Sequence, residues 1–352
     1  MTDPAADEPG SGDTETYEGT VLVGEDFEAV EGRVVVEDGA IAAIEEASVA
    51  SDDIVCPAFV NAHTHIGDSV AKEAGRRLDL DALVAPPDGL KHRILRETPD
   101  EELVAAMRRS LRYMHATGTT AHVEFREGVA GVDAIAAAVD GLPVESVVLG
   151  RETVAAMEHP FAAGFGASGA RDADFDAERA ATRAAGKLFG IHAGERDPHD
   201  LDAAMDLDPD HLVHVVHPEE RHLDRLAAEG WPVVVCPRSN LVTGVGVPPL
   251  RDLLDRTTVA LGTDNVMLDS PSMFREMEFA AKLTDATAVE VLRMATAAGA
   301  AVAGLNCGAI EPGRDARLLV LDGDSDNLAG VRDPVRAVVR RAGQGDVKAV
   351  VP

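Results

Sequence analysis

The sequence has very little lysine and few aromatic residues. Only five of its 352 residues are lysine and 3% are aromatic, while 62 acidic residues against 32 basic ones give a formal net charge of −30. A chain with this charge repels phosphate backbones and anionic bilayers. We therefore exclude nucleic-acid binding and peripheral membrane binding as its main activity, and we expect a small-molecule substrate as its partner.

The acidic excess itself predicts a surface adapted to concentrated salt. At 1 M salt the Debye length falls to about 3 Å, which screens the repulsion between carboxylates. Disorder is the competing explanation for acidity, and it fits residues 1–18, where acidic residues alternate with Gly, Pro, Ser and Thr. We predict a disordered acidic tail there and a halophilic source for the chain.

Cysteines and long apolar runs are also scarce. The three cysteines, Cys56, Cys236 and Cys307, are too far apart for a metal-binding CxxC motif and odd in number, so we expect buried free thiols. No apolar run reaches about 18 residues, and no basic segment followed by an apolar one begins the chain. We expect a cytoplasmic protein, and both a monomer and a homo-oligomer remain open.

The order of apolar and polar segments predicts three parts. Short strands separated by turns, including an Asp38-Gly39 hairpin signal, fill residues 19–53, and residues 305–352 have the same character, with strands expected in GAIEPGRDARLLVLDG and VRAVVRRAG. We predict that these two segments form one small β-sandwich domain. Between them, over residues 54–304, strand-like runs alternate with helical ones.

This central part contains eight candidate strands, as expected of a (β/α)8 TIM-type barrel of about 250 residues. The candidate strands are 54–63, 119–125, 143–150, 162–169, 188–194, 211–217, 232–236 and 257–264. The clearest helical stretches are 100–118, 132–140, 176–186, 218–230 and 274–285. A doubly wound α/β fold is the alternative, but no GxGxxG follows the first strand.

Unusual polar residues lie at the ends of several candidate strands. His63 and His65 lie at the carboxyl end of the first candidate strand, His192 and Glu195 at the end of the fifth, and Asp264 at the end of the eighth. In a barrel the carboxyl ends of the strands meet at one face, and the two residues of an H-x-H pair point to the same side. Three imidazoles and one carboxylate are a suitable ligand set for a divalent transition metal.

His214, in the sixth strand, is expected at the same face. The other histidines are expected to be structural or solvated, among them His122, His199, His211, His217 and His222.

These residues carry a family resemblance. From about Val21 to Ala349 the chain resembles the amidohydrolase superfamily, specifically its cytosine-deaminase-like and chlorohydrolase-like branch, in the segments PAFVNAHTHIGDS, HAGE, LVHVVH, CPRSNL, LGTDN and GAIEPGRDARLLVLD. One departure is Arg317, which stands where the family's C-terminal element usually has an acidic residue.

The resemblance implies a function for each of these residues. His63, His65, His192 and Asp264 would hold one divalent ion, zinc or alternatively iron. Glu195 would be the proton shuttle, and His214 would contact the water or substrate. Two-metal relatives usually carry a bridging lysine at the end of strand four, and no lysine lies near residues 162–169, so we expect one metal.

Substrate contacts are less specific in the sequence. Arg126 and Arg151 follow strands two and three, Lys91 follows strand one, and Asn240 follows strand seven. The cations could clamp a substrate carboxylate or phosphate, and Glu152 is a candidate substitute bridge for a second metal.

We predict hydrolytic deamination of an N-heterocycle (a purine, a pyrimidine or a nucleoside-like compound), with Glu195, His214 and Asp264 as catalytic residues. The alternatives are a cyclic-amide hydrolase, a chlorohydrolase and a non-catalytic metal-binding protein.

Overall fold

The computed structural model describes residues 14–75 and 77–352. Within these ranges the strands are β1 (Thr14–Val23), β2 (Glu28–Glu37), β3 (Ala40–Glu46), β4 (Ile54–Pro57), β5 (Phe59–His65), β6 (Thr119–Glu127), β7 (Glu145–Arg151), β8 (Ala162–Ala167), β9 (Leu188–Ala193), β10 (His211–His214), β11 (Val233–Val235), β12 (Val259–Leu261), β13 (Asp264–Asn265), β14 (Leu318–Leu321) and β15 (Val347–Val351).

The helices of the same ranges lie mostly between the strands of the central part. They are α1 (Leu80–Val84), α2 (Leu90–Glu97), α3 (Asp100–Ala116), α4 (Gly128–Val139), α5 (Val154–Glu158), α6 (Asp176–Ala185), α7 (Leu201–Asp206), α8 (Glu220–Glu229), α9 (Pro237–Thr243), α10 (Leu250–Leu254), α11 (Met273–Leu283), α12 (Ala288–Ala295), α13 (Ala297–Ala303) and α14 (Pro334–Arg340). No helix in the described ranges is both long and apolar enough to cross a membrane.

Strands from both terminal segments lie in one six-stranded sheet, ordered β15-β14-β4-β1-β2-β3. Its neighbours are antiparallel except for the parallel pair β1 and β4. The turn between β2 and β3 has positive φ at both Asp38 (50°) and Gly39 (78°), which is the type I′ geometry that an Asp-Gly pair favours. The two segments thus share one sheet, and the small β-sandwich domain that we expected from them stays a prediction.

The central part forms a curled parallel sheet, ordered β12-β11-β10-β9-β8-β7-β6-β5-β13. All of its strand pairs are parallel. Parallel strands covered on both faces are apolar throughout rather than alternating, and β11 and β12 consist only of buried Val, Ala and Leu. The predicted site residues His65 and His192 lie at or next to the carboxyl ends of two such strands, β5 and β9.

Two predicted boundaries were wrong. The strand predicted at 54–63 is divided at Ala58: β4 joins the terminal sheet and β5 the parallel one. The tail predicted to be disordered over residues 1–18 includes part of β1, because Thr14–Val23 pairs along its length with Glu28–Glu37, and residues 1–13 lie outside the described residues.

The segment VRAVVRRAG, expected to be a strand, forms most of α14. Asp333 caps that helix by accepting a hydrogen bond from the backbone N–H of Arg336, and Pro334 occupies its first turn. Both residues favour the start of a helix, and they outweigh the valines of this segment, which had favoured a strand.

The five predicted helices are confirmed as α3, α4, α6, α8 and α11, with ends shifted by up to four residues. All three cysteines are buried free thiols, as expected.

Candidate metal centre

Three imidazoles and one carboxylate meet at the carboxyl ends of the parallel strands. His63 and His65 end β5, His192 lies on β9, and Asp264 begins β13 next to β5. The Nε2 atom of His192 is 3.2 Å from Nε2 of His63 and 3.4 Å from Nε2 of His65. Asp264 Oδ1 is 3.5 Å and 3.6 Å from the same two atoms of His63 and His65. The four residues predicted as ligands therefore converge.

The spacing of these atoms fits a site for one divalent ion. Zinc bonds to imidazole nitrogen and carboxylate oxygen are about 2.0–2.1 Å long, so two ligand atoms of one ion lie at most about 4.2 Å apart. The observed separations of 3.2–3.6 Å fall within this limit. The donor set accordingly fits a divalent ion such as zinc.

Backbone carbonyls orient two of the imidazoles. His192 Nδ1 lies 2.8 Å from the carbonyl oxygen of Ala167, and His65 Nδ1 lies 3.3 Å from that of Phe125. A carbonyl can only accept, so each Nδ1 donates its proton and the lone pair stays on Nε2, which faces the other ligands. Such outer hydrogen bonds fix the tautomer that binds metal.

Burial keeps these groups in the protonation states that ligation requires. It lowers the pKa of His63 to about 4 and the pKa values of His65 and His192 well below their usual range. Burial alone would raise the pKa of Asp264, but its contact with the imidazole of His63 and the nearby imidazole of His214 bring that pKa below its usual range. Neutral imidazoles beside an ionised carboxylate are the ligand forms that bind a divalent cation.

Asp264 is itself held by its neighbours. Its Oδ2 accepts a hydrogen bond of 2.5 Å from Ser239 Oγ, and its Oδ1 accepts one of 2.8 Å from Asn265 Nδ2. Its backbone has a φ of 56°, a left-handed conformation that is rare for a non-glycine residue and common at functional sites.

Glu195 and His214 lie beside the ligand set. Glu195 Oε2 is 3.7 Å from His214 Nε2, and Asn240 Nδ2 is 3.1 Å from His214 Nδ1 and 3.4 Å from Glu195 Oε1. Burial raises the pKa of Glu195 although His214 acts in the opposite direction. His214, with a φ of 78°, also groups with His63 and Asp264 as a second set of possible ligands, so it lies within reach of the same centre.

A small cavity of about 70 Å³ opens onto these groups. Its wall includes His65, His192, Glu195, Asp264, Asn265, Lys91 and Arg151. A larger cavity of about 350 Å³ adjoins it and shares Arg151, Ser168 and Asp172.

The three predicted substrate contacts lie at different distances from the centre. Asn240 is buried against Glu195 and His214, and Arg151 lines the small cavity. Arg126 instead lines a neighbouring cavity, where its guanidinium pairs with Glu124 at 2.9 Å and with Glu127. Glu152, the candidate second-metal bridge, is exposed and lines that same neighbouring cavity.

The remaining histidines lie in other surroundings. His122 bonds to Ser146 and Thr64 in the core, His222 takes part in the cap of α8, and His199 is exposed.

One buried pair under the site was missed in the sequence. Glu276 accepts a hydrogen bond of 3.0 Å from the backbone N–H of Arg238, whose guanidinium bonds to the carbonyls of Ser270 and Ser272. This pair anchors the start of α9, which carries Ser239 and Asn240. The detectable signal was an acidic residue on the apolar face of α11.

Comparison with known proteins places the chain among amidohydrolases. The Amidohydrolase family model matches residues 54–196 and 187–351. A protein of Methanothermobacter thermautotrophicus named "Putative aminohydrolase" is 34% identical, over 92% of this chain and 93% of its own. A 5-methylthioadenosine/S-adenosylhomocysteine deaminase of Halobacterium salinarum is 28% identical, over 96% of this chain and 90% of its own.

Solved structures share the fold. An adenosine deaminase from Xanthomonas campestris with bound zinc has a TM-score of 0.78 at 19% identity, covering 96% of this chain and 91% of its own. Atrazine chlorohydrolase from Arthrobacter aurescens, complexed with zinc, has a TM-score of 0.80 at 17% identity, covering 96% and 93%. With the family model matching most of its length, the chain belongs to the amidohydrolase family and is a hydrolase of carbon–nitrogen bonds.

Proposed function

We propose that this hydrolase removes an amino group from a nitrogen heterocycle (a purine, a pyrimidine or a nucleoside-like compound). Water is the second substrate, the C–NH2 bond is replaced by C–OH, and ammonia leaves. The observation that carries the proposal is the position of Glu195, which lines the same cavity as His65, His192 and Asp264 and lies against His214. The relatives named as an aminohydrolase and a deaminase support it.

The ligand set proposed for the cofactor is His63, His65, His192 and Asp264, holding one zinc ion, with iron as the alternative. A bound divalent ion of this kind would lower the pKa of a water molecule from 15.7 to about 7 and so supply a nucleophile at neutral pH. A single ion is favoured because a second ion would need a bridging lysine at the end of β8. Lys187, the lysine nearest to β8 in sequence, instead donates from Nζ to the carbonyls of Met157 and Ala162.

The catalytic roles follow from where each group lies. Glu195, as a carboxylate, takes a proton from the attacking water and returns it to a ring nitrogen or to the leaving amine, a step worth about 10²–10⁴-fold in rate. His214 Nε2 donates a hydrogen bond to the oxygen that gains negative charge. Asp264 is both a ligand and a proton acceptor beside these two groups.

The proposed scaffold is a closed (β/α)8 barrel. Its support is the eighth candidate strand (257–264), which the structure divides into β12 and the start of β13. These two strands are the two edges of the parallel sheet: β12 pairs with β11, and β13 pairs with β5. The two junction residues make the matching hydrogen bonds, Gly262 N–H to Val235 O and Thr263 N–H to His63 O. In a closed barrel the eighth strand lies between the seventh and the first, as these two pairings require.

The test is a screen of zinc-loaded protein against aminated heterocycles, with ammonia and product mass both measured. Deamination is expected to release ammonia and to raise the organic product by one mass unit, because OH replaces NH2. Chloride release would point to a chlorohydrolase, and addition of a whole water to a ring would point to a cyclic-amide hydrolase. Purified protein that binds no divalent ion would contradict the proposal.

The screen is run at high salt because we predict a salt-adapted surface. We also predict a cytoplasmic location and either a monomer or a homo-oligomer.

A further inference from the structure

A buried lysine and a buried arginine line the cavity next to the candidate metal centre, and neither is a ligand of that centre. Lys91 lies on α2 and Arg151 ends β7, so two different elements bring them to the cavity that His65 and Asp264 also line. Lys91 is 2% exposed and Arg151 is 7% exposed. Lysine and arginine are almost never this buried unless they are paired, so their partners decide what they do.

The two cations share a single carboxylate oxygen. Glu127 Oε1 is 3.4 Å from Lys91 Nζ and 3.3 Å from Arg151 Nη1, and Glu127 Oε2 is taken by Arg126. Three cations thus surround one carboxylate, and Arg126 alone has a second carboxylate partner, Glu124. Of the charged side chains that line the cavity itself, three are cations and three are carboxylates, and Glu127, the partner of Lys91 and Arg151, lies outside that wall.

Most N–H donors of the pair are still available. An ammonium has three and a guanidinium five, and the only described side-chain acceptors are Glu127 Oε1 for both and Asn265 Oδ1 for Lys91 at 3.2 Å. These contacts of 3.2–3.4 Å are longer than the 2.7–2.9 Å typical of charge-assisted hydrogen bonds. An oxyanion in the cavity would give both cations shorter bonds.

The other charged groups nearby do not occupy these donors. Asp68 accepts a hydrogen bond from the backbone N–H of Met267 and makes none to Lys91 or Arg151, but its charge favours the ammonium form of Lys91, whose pKa burial lowers to about 7. Arg196, a third cation of the cavity wall, is paired with Asp81. Asp172 also lines the cavity, and its negative charge acts on Arg151 without a described hydrogen bond between them.

We propose that Lys91 and Arg151 form an anion-binding subsite, and that the substrate is an aminated heterocycle bearing a phosphate or a carboxylate group. This inference rests on the proposed function for its heterocycle, but the subsite itself needs no turnover. Asn265 joins the two sites: its Oδ1 accepts from Lys91 and its Nδ2 donates to Asp264. Binding of the anion would therefore place the ring beside the metal ligands.

The experiment measures equilibrium binding of inorganic phosphate, and separately of acetate, to the full chain at one fixed salt concentration. We expect one saturable site per chain in both the zinc-loaded and the zinc-free protein, since the cations carry the binding. Lys91→Met and Arg151→Gln are each expected to weaken binding about tenfold or more, because each removes charge-assisted hydrogen bonds. Arg93→Gln, an exposed cation on the same helix as Lys91, is the matched control and should leave binding unchanged.

Zinc content and Tm, measured on each variant, separate loss of the subsite from loss of the fold. Tighter binding of phosphate assigns a phosphorylated substrate, and tighter binding of acetate assigns a carboxylate. No saturable binding to the wild type, binding only when zinc is present, or equal affinity in folded Lys91→Met and wild type would overturn the proposal. Anion binding without any deamination would instead leave the subsite standing and refute the proposed reaction.

Discussion

The amide nitrogen of Asn240 lies 3.1 Å from Nδ1 of His214. The same nitrogen is 3.4 Å from Glu195 Oε1, and a carboxylate only accepts, so the amide must present its NH2 group to both. His214 Nδ1 is then the acceptor, and a neutral His214 carries its proton on Nε2, 3.7 Å from Glu195 Oε2. One buried amide thereby sets the tautomer of the imidazole and the position of the carboxylate.

Asn240→Ala removes this support without touching the metal ligands. We expect the rate to fall about 10–100-fold, the usual cost of losing an outer-shell hydrogen bond at such sites, with zinc content unchanged. The measurement is kcat and zinc content together. Thr243→Val, a substitution on the same helix whose hydroxyl bonds only to backbone carbonyls, is the control. A variant with the wild-type rate would refute this role for Asn240.

Glu195→Gln keeps the shape of the side chain and removes its proton-accepting group. The expected result is a kcat lower by about 10²–10⁴-fold with bound zinc retained, since Glu195 is not one of the four converging ligands. Steady-state kinetics with metal analysis check this. A rate equal to that of the wild type would exclude Glu195 as the proton shuttle.

His192→Ala removes one corner of the donor set. Because His192 Nε2 lies within 3.4 Å of both other imidazole nitrogens, we expect zinc content to fall from about one ion per chain to a small fraction of that. His199→Gln, an exposed histidine on the following segment, should retain full zinc. Elemental analysis of the dialysed proteins measures their zinc content per chain. Undiminished zinc in folded His192→Ala would refute the assigned ligand set.

Glu276 makes stability depend on pH. Burial raises its pKa to about 7 against the opposing effect of Arg238, so between its ordinary pKa of 4.5 and pH 7 the folded chain holds a proton that the unfolded chain has lost. Stability from this group is complete below about pH 4.5 and declines as the pH rises to about 7. The Tm of the wild type relative to Glu276→Gln is expected to fall over that range.

Glu278→Gln, on the same helix but less buried, is the control for Glu276, and its Tm should follow that of the wild type. A Tm difference between wild type and Glu276→Gln that stays constant from pH 5 to pH 8 would contradict the raised pKa.

The net charge of −30 predicts a dependence on salt. Screening extends only about 3 Å at 1 M salt but about 10 Å at 0.1 M, so repulsion among carboxylates grows as salt is removed. We expect a lower Tm at 50 mM potassium chloride than at 2 M. An uncharged osmolyte at matched osmolality should not replace the salt, and an equal Tm at both concentrations would count against the adaptation.

Much of the site could be predicted from the sequence because strand periodicity and chain order constrain it. The H-x-H pair places His63 and His65 on one side of β5, and the ends of parallel strands meet at one edge, so His192 and Asp264 had to lie near them. The turn at Asp38-Gly39 was predictable for a local reason, since both residues tolerate positive φ.

Tertiary structure decided the features that depend on partners distant in sequence. The division of 54–63 at Ala58 follows from which strands are available to pair with β4 and β5, and α14 follows from a cap and a proline that outweigh β-branched residues. Likewise, Lys91 is only one cation after a strand when read in the sequence. The folded chain buries it with Arg151 around Glu127. In low-dielectric surroundings a buried charge interacts strongly with its few neighbours, and these neighbours fix its position. The sequence by itself determined which residues could serve as metal ligands, because ligand type and strand position are local, whereas only packing could decide which charges face the cavity.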